Sequence, residues 1–107
     1  MRLKVVKFKS VKSTNNAAIK LIKTKKIFLG IVVSEKQTKG KGTMGKKWVS
    51  LKGNLFASIF FRINLKKIKI NNFLNINTNL IRNILRVYSK KKISIKPPND
   101  LLIKGKK

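Results

Sequence analysis

Residues 37–48 read QTKGKGTMGKKW, in which Gly40, Gly42 and Gly45 alternate with Lys39, Lys41, Lys46 and Lys47 and Trp48 closes the run. Glycine lets a backbone come close to a ligand. Successive free N–H groups form a concave anion site, and lysine adds point charges that suit phosphate. The run lies between two apolar segments, IFLGIVVS at 27–34 and NLFASIFFRI at 54–63. That arrangement describes a working loop held between two strands, able to grip a phosphate or a carboxylate. A solvated basic turn is the plainer reading of the same residues.

The rest of the inventory removes most other chemistry. The 107 residues contain no cysteine and no histidine, which excludes disulfides, thiolate chemistry, histidine zinc sites and imidazole acid–base catalysis. Glu35 and Asp100 are the two acids, far apart in sequence, so paired-carboxylate hydrolysis and a carboxylate-bridged metal pair are also excluded and no metal site is expected. An enzyme built from these residues works by positioning and by positive charge. Against those two acids stand 28 Lys+Arg, a net charge of +26. Such a charge usually points to nucleic acid or an anionic membrane. Here Lys, Ile and Asn are scattered through every segment, as an A/T-biased coding sequence would scatter them, whereas a dedicated nucleic-acid binder gathers its cations on one face. A small basic RNA-binding protein stays as the alternative from another class, and non-specific polyanion binding is expected at low salt. The first residues, MRLKVVKFKS, lack a continuous apolar stretch, and no apolar run approaches a membrane span. The expectation is a cytoplasmic protein with no membrane partner.

The elements that must position the loop follow from periodicity. A β-branched, partly alternating run predicts a strand over 3–11, and Ser13 or Thr14 caps a helix to about Lys23 with Ala18, Leu21 and Ile22 on one face. A second strand is predicted over 27–36. Beyond the loop, 48–50 reads as a short extended piece. The next strand alternates Leu55, Ala57, Ile59, Phe61 and Ile63 against Phe56, Ser58, Phe60 and Arg62, so both faces are expected to be partly buried. Residues 72–89 carry a helical stripe of Phe73, Asn77, Leu80, Ile81, Ile84 and Tyr88, with Lys90–Lys92 suited to its C-terminal dipole. Short strands at 93–95 and 101–103 flank Pro97-Pro98. The class is α+β (mixed α/β), a mixed sheet flanked by helices, in at most one domain.

Four pieces in this order resemble the catalytic domain of biotin protein ligases. They are Phe8 with Ser13-Thr14-Asn15; Gln37 to Trp48, similar to a Q-x-x-G-R-G-R-x-G-R-x-W loop; Gly53-Asn54-Leu55-Phe56-Ala57-Ser58; and Lys96-Pro97-Pro98-Asn99-Asp100-Leu101. The resemblance implies a biotin/lipoate-ligase catalytic domain related to class II aminoacyl-tRNA synthetases. It implies ATP-dependent activation of biotin to biotinyl-5′-AMP and transfer to a lysine of a biotin carboxyl carrier domain of a biotin-dependent carboxylase. ATP with Mg2+ and biotin would be substrates, with no tightly bound cofactor. Ser13, Thr14, Asn15, Gln37, Gly40 and Lys41 match biotin-binding positions. Gly42, Thr43, Gly45, Lys46, Trp48 and Asn99 match nucleotide or phosphate positions, and Lys107 falls at the catalytic lysine, bridging the carboxylate and the α-phosphate. A lipoate or octanoyl ligase or transferase is the alternative within the class.

Two departures bear on activity. The similar loops are arginine-rich, whereas Lys41 and Lys46 keep the charge without the planar fork and Thr43 drops the charge altogether. Pro97 stands where the family has tryptophan. The pattern also continues past Lys107, so the expectation is an incomplete catalytic domain over 1–107 without an N-terminal DNA-binding domain or a C-terminal barrel, inactive or nearly so alone. It would have no specific DNA partner and would leave an apolar sheet edge exposed.

Overall fold

The computed structural model describes residues 2–97 and 99–107, apart from the Thr43 side chain. Pro98, the second proline of the predicted break, lies outside the described residues. The chain forms two compact units, one through Arg62 and one from Ile63 to Lys107.

In the first unit β1 (Lys4–Val11) leads into α1 (Thr14–Lys25). Ser13 sits between them with φ −153° and ψ 130°, and its hydroxyl accepts from the Asn16 N–H at 3.3 Å. That bond satisfies one of the first-turn donors that have no helical partner. The helix runs past the expected Lys23 to Lys25, and Lys26 closes it at φ 55°, a left-handed position that glycine usually fills. β2 (Leu29–Gln37) starts later than the predicted 27–36, because Ile27 turns in against the buried cluster instead of joining the ladder. The predicted loop is itself folded. A small hairpin, β3 (Gly40–Lys41) and β4 (Lys47–Trp48), is joined through a tight turn at Thr43–Gly45 in which Met44 takes a left-handed conformation, φ 58° and ψ 30°. β5 (Phe56–Phe61) follows.

β2 is the middle of a sheet ordered β1-β2-β5, parallel to β1 and antiparallel to β5. A parallel pair needs a crossover, and α1 supplies it. The register sets Gly30 opposite Phe60 and Val32 opposite Ser58. α1 packs on this face, where Ala18, Val32 and Phe60 form the buried cluster with Leu21 and Ile22 against it. The other face of β5 corrects the expectation of two-sided burial: Phe60 is 9% exposed, but Ile59 is 66%. One helix covers one face, and Leu55, Phe61 and Ile63 remain exposed with Ile59.

The second unit holds α2 (Ile70–Leu85), β6 (Ile93–Lys96) and β7 (Asp100–Ile103). α2 begins before the predicted Asn72 and ends four residues short of Ser89. Its predicted stripe is not a buried one. Leu80, Ile81, Ile84 and Tyr88 are exposed, and the buried residue is Thr78, whose hydroxyl donates to the Leu74 carbonyl at 2.8 Å. Lys90–Lys92 lie beyond the last turn, where Arg82 is the basic residue. β6 and β7 pair antiparallel, with Lys96 opposite Asp100. Lys104 and Gly105, at φ 53° and 73°, then reverse the chain so that Ile103 and Lys106 exchange backbone hydrogen bonds. Among the described residues no helix is long and apolar enough to cross a membrane.

The seat of Phe60 on Gly30 yields a stability prediction. A Cβ at Gly30 would stand 2.6 Å from Phe60 Cζ and 2.9 Å from the Lys4 carbonyl oxygen. Gly30→Ala should therefore destabilise the chain by about 1–3 kcal/mol, the usual cost of overpacking. Urea unfolding measures it, and an unchanged midpoint would contradict this packing.

Candidate ligand site at the start of the first helix

Five polar side chains meet where α1 begins. The Thr14 N–H donates to Gln37 Oε1 at 2.9 Å, and Gln37 Nε2 donates to Ser50 Oγ at 3.0 Å. The Thr14 and Ser58 hydroxyls are 2.8 Å apart, and Ser58 donates to Asn15 Oδ1. Since Ser58 gives its one proton to Asn15, Thr14 must be the donor of the pair. The backbone fixes these groups from several directions. Gln37 ends β2, and the ladder to β1 is prolonged past it by Thr38 N–H to Val11 O at 3.0 Å and Lys39 N–H to Lys12 O at 2.6 Å. Ser58 points to the α1 side of β5, between Phe56 and Phe60. Ser13 and Thr14 are buried, at 2% and 5% exposure.

The lysine–glycine hairpin lies beside this network. Gly40 is buried, and a Cβ there would meet Ser50 Oγ, Trp48 O and Gln37 Nε2 at 2.6–2.8 Å. Lys41 is exposed and its Nζ donates to Asn16 Oδ1 at 3.4 Å, which ties the hairpin to the first turn of α1. Gly42 N–H donates to the Lys46 carbonyl at 2.6 Å. Met44 and Gly45 make the turn at φ 58° and 74°, and Met44, Gly45 and Lys46 are exposed. Trp48, 43% exposed, is not the core residue its apolar bulk would allow; its ring lies beside Gly42. The turn backbone of Thr43 is defined, but its side chain lies outside the described residues.

The structure thus brings Ser13, Thr14, Asn15, Gln37, Gly40, Lys41, Gly42, Gly45, Lys46 and Trp48 onto one unit. Asn99 and Lys107 belong to the other. Asn99 is exposed in the turn before β7, and Lys107 is held rather than frayed, its Nζ 2.9 Å from Asp100 Oδ1. Phe8, Asn54 and Leu55 of the quoted motifs line a separate open depression of about 440 Å3 with Lys7, Lys9 and Glu35.

Sequence reasoning assigned no role to Ser50 or Ser58. Ser58 was visible in principle, because alternation places it inward between two phenylalanines and a buried hydroxyl needs a partner. Ser50 had no such signal, since it ends an extended piece too short to show a period. Chemically, the arrangement offers neutral donors and acceptors next to an exposed cationic hairpin. Among the described residues no group of three or more His, Cys, Asp or Glu could hold a metal ion.

Solved structures resemble this chain in fold. A biotin acetyl coenzyme A carboxylase synthetase from Helicobacter pylori, solved with bound biotinylated ATP, superposes with a TM-score of 0.81 at 21% identity, over 96% of this chain and 50% of that one. A biotin protein ligase from Aquifex aeolicus in complex with biotin and ATP gives 0.76 at 27% identity, over 94% and 41%. A biotin protein ligase from Leishmania major in complex with biotin gives 0.75 at 25%, over 96% and 48%. The chain therefore spans about half the length of these solved proteins. The pattern of the biotin/lipoate A/B protein ligase family matches residues 7–107. With nearly every residue inside that match, the chain belongs to the biotin/lipoate A/B protein ligase family.

Proposed function

We propose that these residues form the biotin-binding half of a biotin protein ligase, which activates biotin with magnesium-ATP and transfers it to a lysine of a biotin carboxyl carrier domain. The observation that carries the reading is the network of Thr14, Asn15, Gln37, Ser50 and Ser58 beside the lysine hairpin. The cyclic urea of biotin is neutral and presents one carbonyl and two N–H groups. Hydroxyl and amide side chains can pair with both kinds, whereas charged groups would be left partly unsatisfied. The Aquifex and Leishmania proteins, solved with biotin and at least 25% identical, support biotin over a lipoyl or octanoyl substrate.

In the proposed reaction a biotin carboxylate oxygen attacks the α-phosphorus of ATP and pyrophosphate leaves, giving biotinyl-5′-AMP. The amine of the carrier lysine then attacks the acyl carbon. A C–N bond forms, AMP departs, and the amine proton goes to solvent. The first step brings two anions together, so its barrier falls when fixed cations and N–H donors offset the repulsion. Lys41 and Lys46, with the Gly40–Gly42 backbone, are proposed to close over the carboxylate and phosphate. Lys107 is proposed to bridge the same two groups in the transition state, Trp48 to lie beside the nucleotide, and Asn99 to sit near the adenine.

Calorimetric titration with biotin tests the binding half, with lipoate as the competing ligand. Binding of lipoate but not biotin would move the protein to the other branch of its family, and binding of neither would end the proposal. Thr14→Val removes the hydroxyl that donates to Ser58, and biotin affinity should fall about tenfold, the effect of one buried hydrogen bond. Biotin-dependent ATP–pyrophosphate exchange tests the chemistry.

Thr43 gives a second prediction. An arginine at this position would add a planar fork able to hold the adenylate phosphate. Release of preformed biotinyl-AMP should be about tenfold slower from Thr43→Arg, a gain of one charge-assisted contact. A chase with unlabelled adenylate reads it, and equal release would sink the idea.

A further inference from the structure

We infer that Ser50 is a positioning residue that sets the Gln37 amide, and through it couples the Gly40–Trp48 hairpin to the first turn of α1; the inference rests on the biotin reading only for its consequence in binding. A backbone N–H can only donate, so the Gln37 oxygen must face Thr14 N, at 2.9 Å. The amide nitrogen is then committed to the opposite side, where Ser50 Oγ receives it at 3.0 Å. Both ends of one planar amide are therefore assigned: rotating it by half a turn would set NH2 against the Thr14 N–H and lose that bond, while the Ser50 hydroxyl, able to accept or donate, holds the amide from its other end. Ser50 accepts here, which leaves its own hydroxyl proton for a further acceptor.

Gly40 makes the arrangement a latch rather than an isolated bond. It lies against Gln37 Nε2, Ser50 Oγ and the Trp48 carbonyl, so closely that a Cβ would stand 2.8, 2.6 and 2.7 Å from them. Trp48 pairs with Gly40 in the hairpin ladder, and Ser50 is two residues beyond Trp48. Any opening of β3 from β4 moves Ser50 relative to Gln37. Loss of that bond frees the amide to turn, and Thr14 N–H loses its acceptor. The hairpin and the donor–acceptor pattern of the helix start thus change together. Sequence alone offered neither Ser50 nor this coupling, since Gln37 and Ser50 are 13 residues apart with no shared period.

Hydrogen exchange and 1H–15N spectra of the full 107-residue chain test the claim without any ligand. In Ser50→Ala the Gln37 side-chain NH2 pair should shift, and the Thr14 amide should exchange about tenfold faster, as loss of one buried hydrogen bond predicts, with the Val32 amide unchanged. Ser50→Thr keeps the hydroxyl and should restore both signals. Gly40→Ala should reproduce the Ser50→Ala signature by pushing the two partners apart. An unmoved Thr14 amide in Ser50→Ala, or one that speeds up only in step with Val32, would overturn the latch. A biotin titration forms the second arm. If the parent chain binds biotin, Ser50→Ala should weaken it about tenfold and Ser50→Thr should not; equal affinity in all three would overturn the role of Ser50 in binding. If the parent chain binds no biotin, the proposed function fails, and the latch is still decided by the exchange data.

Discussion

The first turn of a helix carries N–H donors with no partner inside the helix, and a buried helix start must find acceptors elsewhere. In α1 this requirement organises the site. Ser13 supplies an acceptor from its own side chain to Asn16, a purely local solution. Thr14 takes its acceptor from Gln37, 23 residues away at the far end of the next strand. That long-range choice binds the helix to β2, and β2 carries the hairpin. The rest of the polar cluster is built on this pair: Ser58 joins it through Thr14, Asn15 through Ser58, and Ser50 through Gln37.

Much of the first unit was legible in the chain for local reasons. Ser13-Thr14-Asn15 before Ala18, Leu21 and Ile22 reads as a cap and a face, and both exist because cap chemistry and helical period are properties of adjacent residues. Gln37, Gly40 and Lys41 stood out from their spacing, but the fold of their loop into a hairpin did not, since a two-residue strand has too little period to see. Burial was the least legible property. Alternation in β5 and the stripe on α2 tell which residues share a face, not whether anything covers it, and Ile59 and Leu80 are both exposed. Ser50 was invisible because its role depends on where another strand ends.

Charge sets the second constraint on how such a site can work. With 28 basic residues and two acids, few cations can find a carboxylate, and Lys107 holds Asp100 at 2.9 Å. The partly exposed pair contributes little stability, on the order of 1 kcal/mol or less. Its consequence is geometric: the reversal at Lys104 and Gly105 brings Lys107 back beside the carboxylate of β7. Lys41 instead contacts a neutral amide oxygen on Asn16 at 3.4 Å. A lysine held by a neutral group can exchange that contact for a phosphate without breaking an ion pair. Lysine attracts an anion strongly but directs it less than the planar fork of an arginine would.

The glycines of the hairpin are held by different physical constraints. Gly45 is exposed at φ 74°, so a side chain there would have room but would meet backbone strain. Gly40 shows no such angle; its constraint is space, closed on three sides by Gln37, Ser50 and Trp48. At Gly42 a Cβ would meet Lys46 and Trp48 at 3.5 Å or more, ordinary contact distances. The protein itself demands glycine at the turn and at the latch but not between them. Nothing in the fold of this unit explains Gly42, and its position next to Lys41, with its N–H already given to Lys46, leaves close approach of a ligand as the reason consistent with the proposed function. Steric demand within the fold and demand from a ligand are therefore separable along one short run.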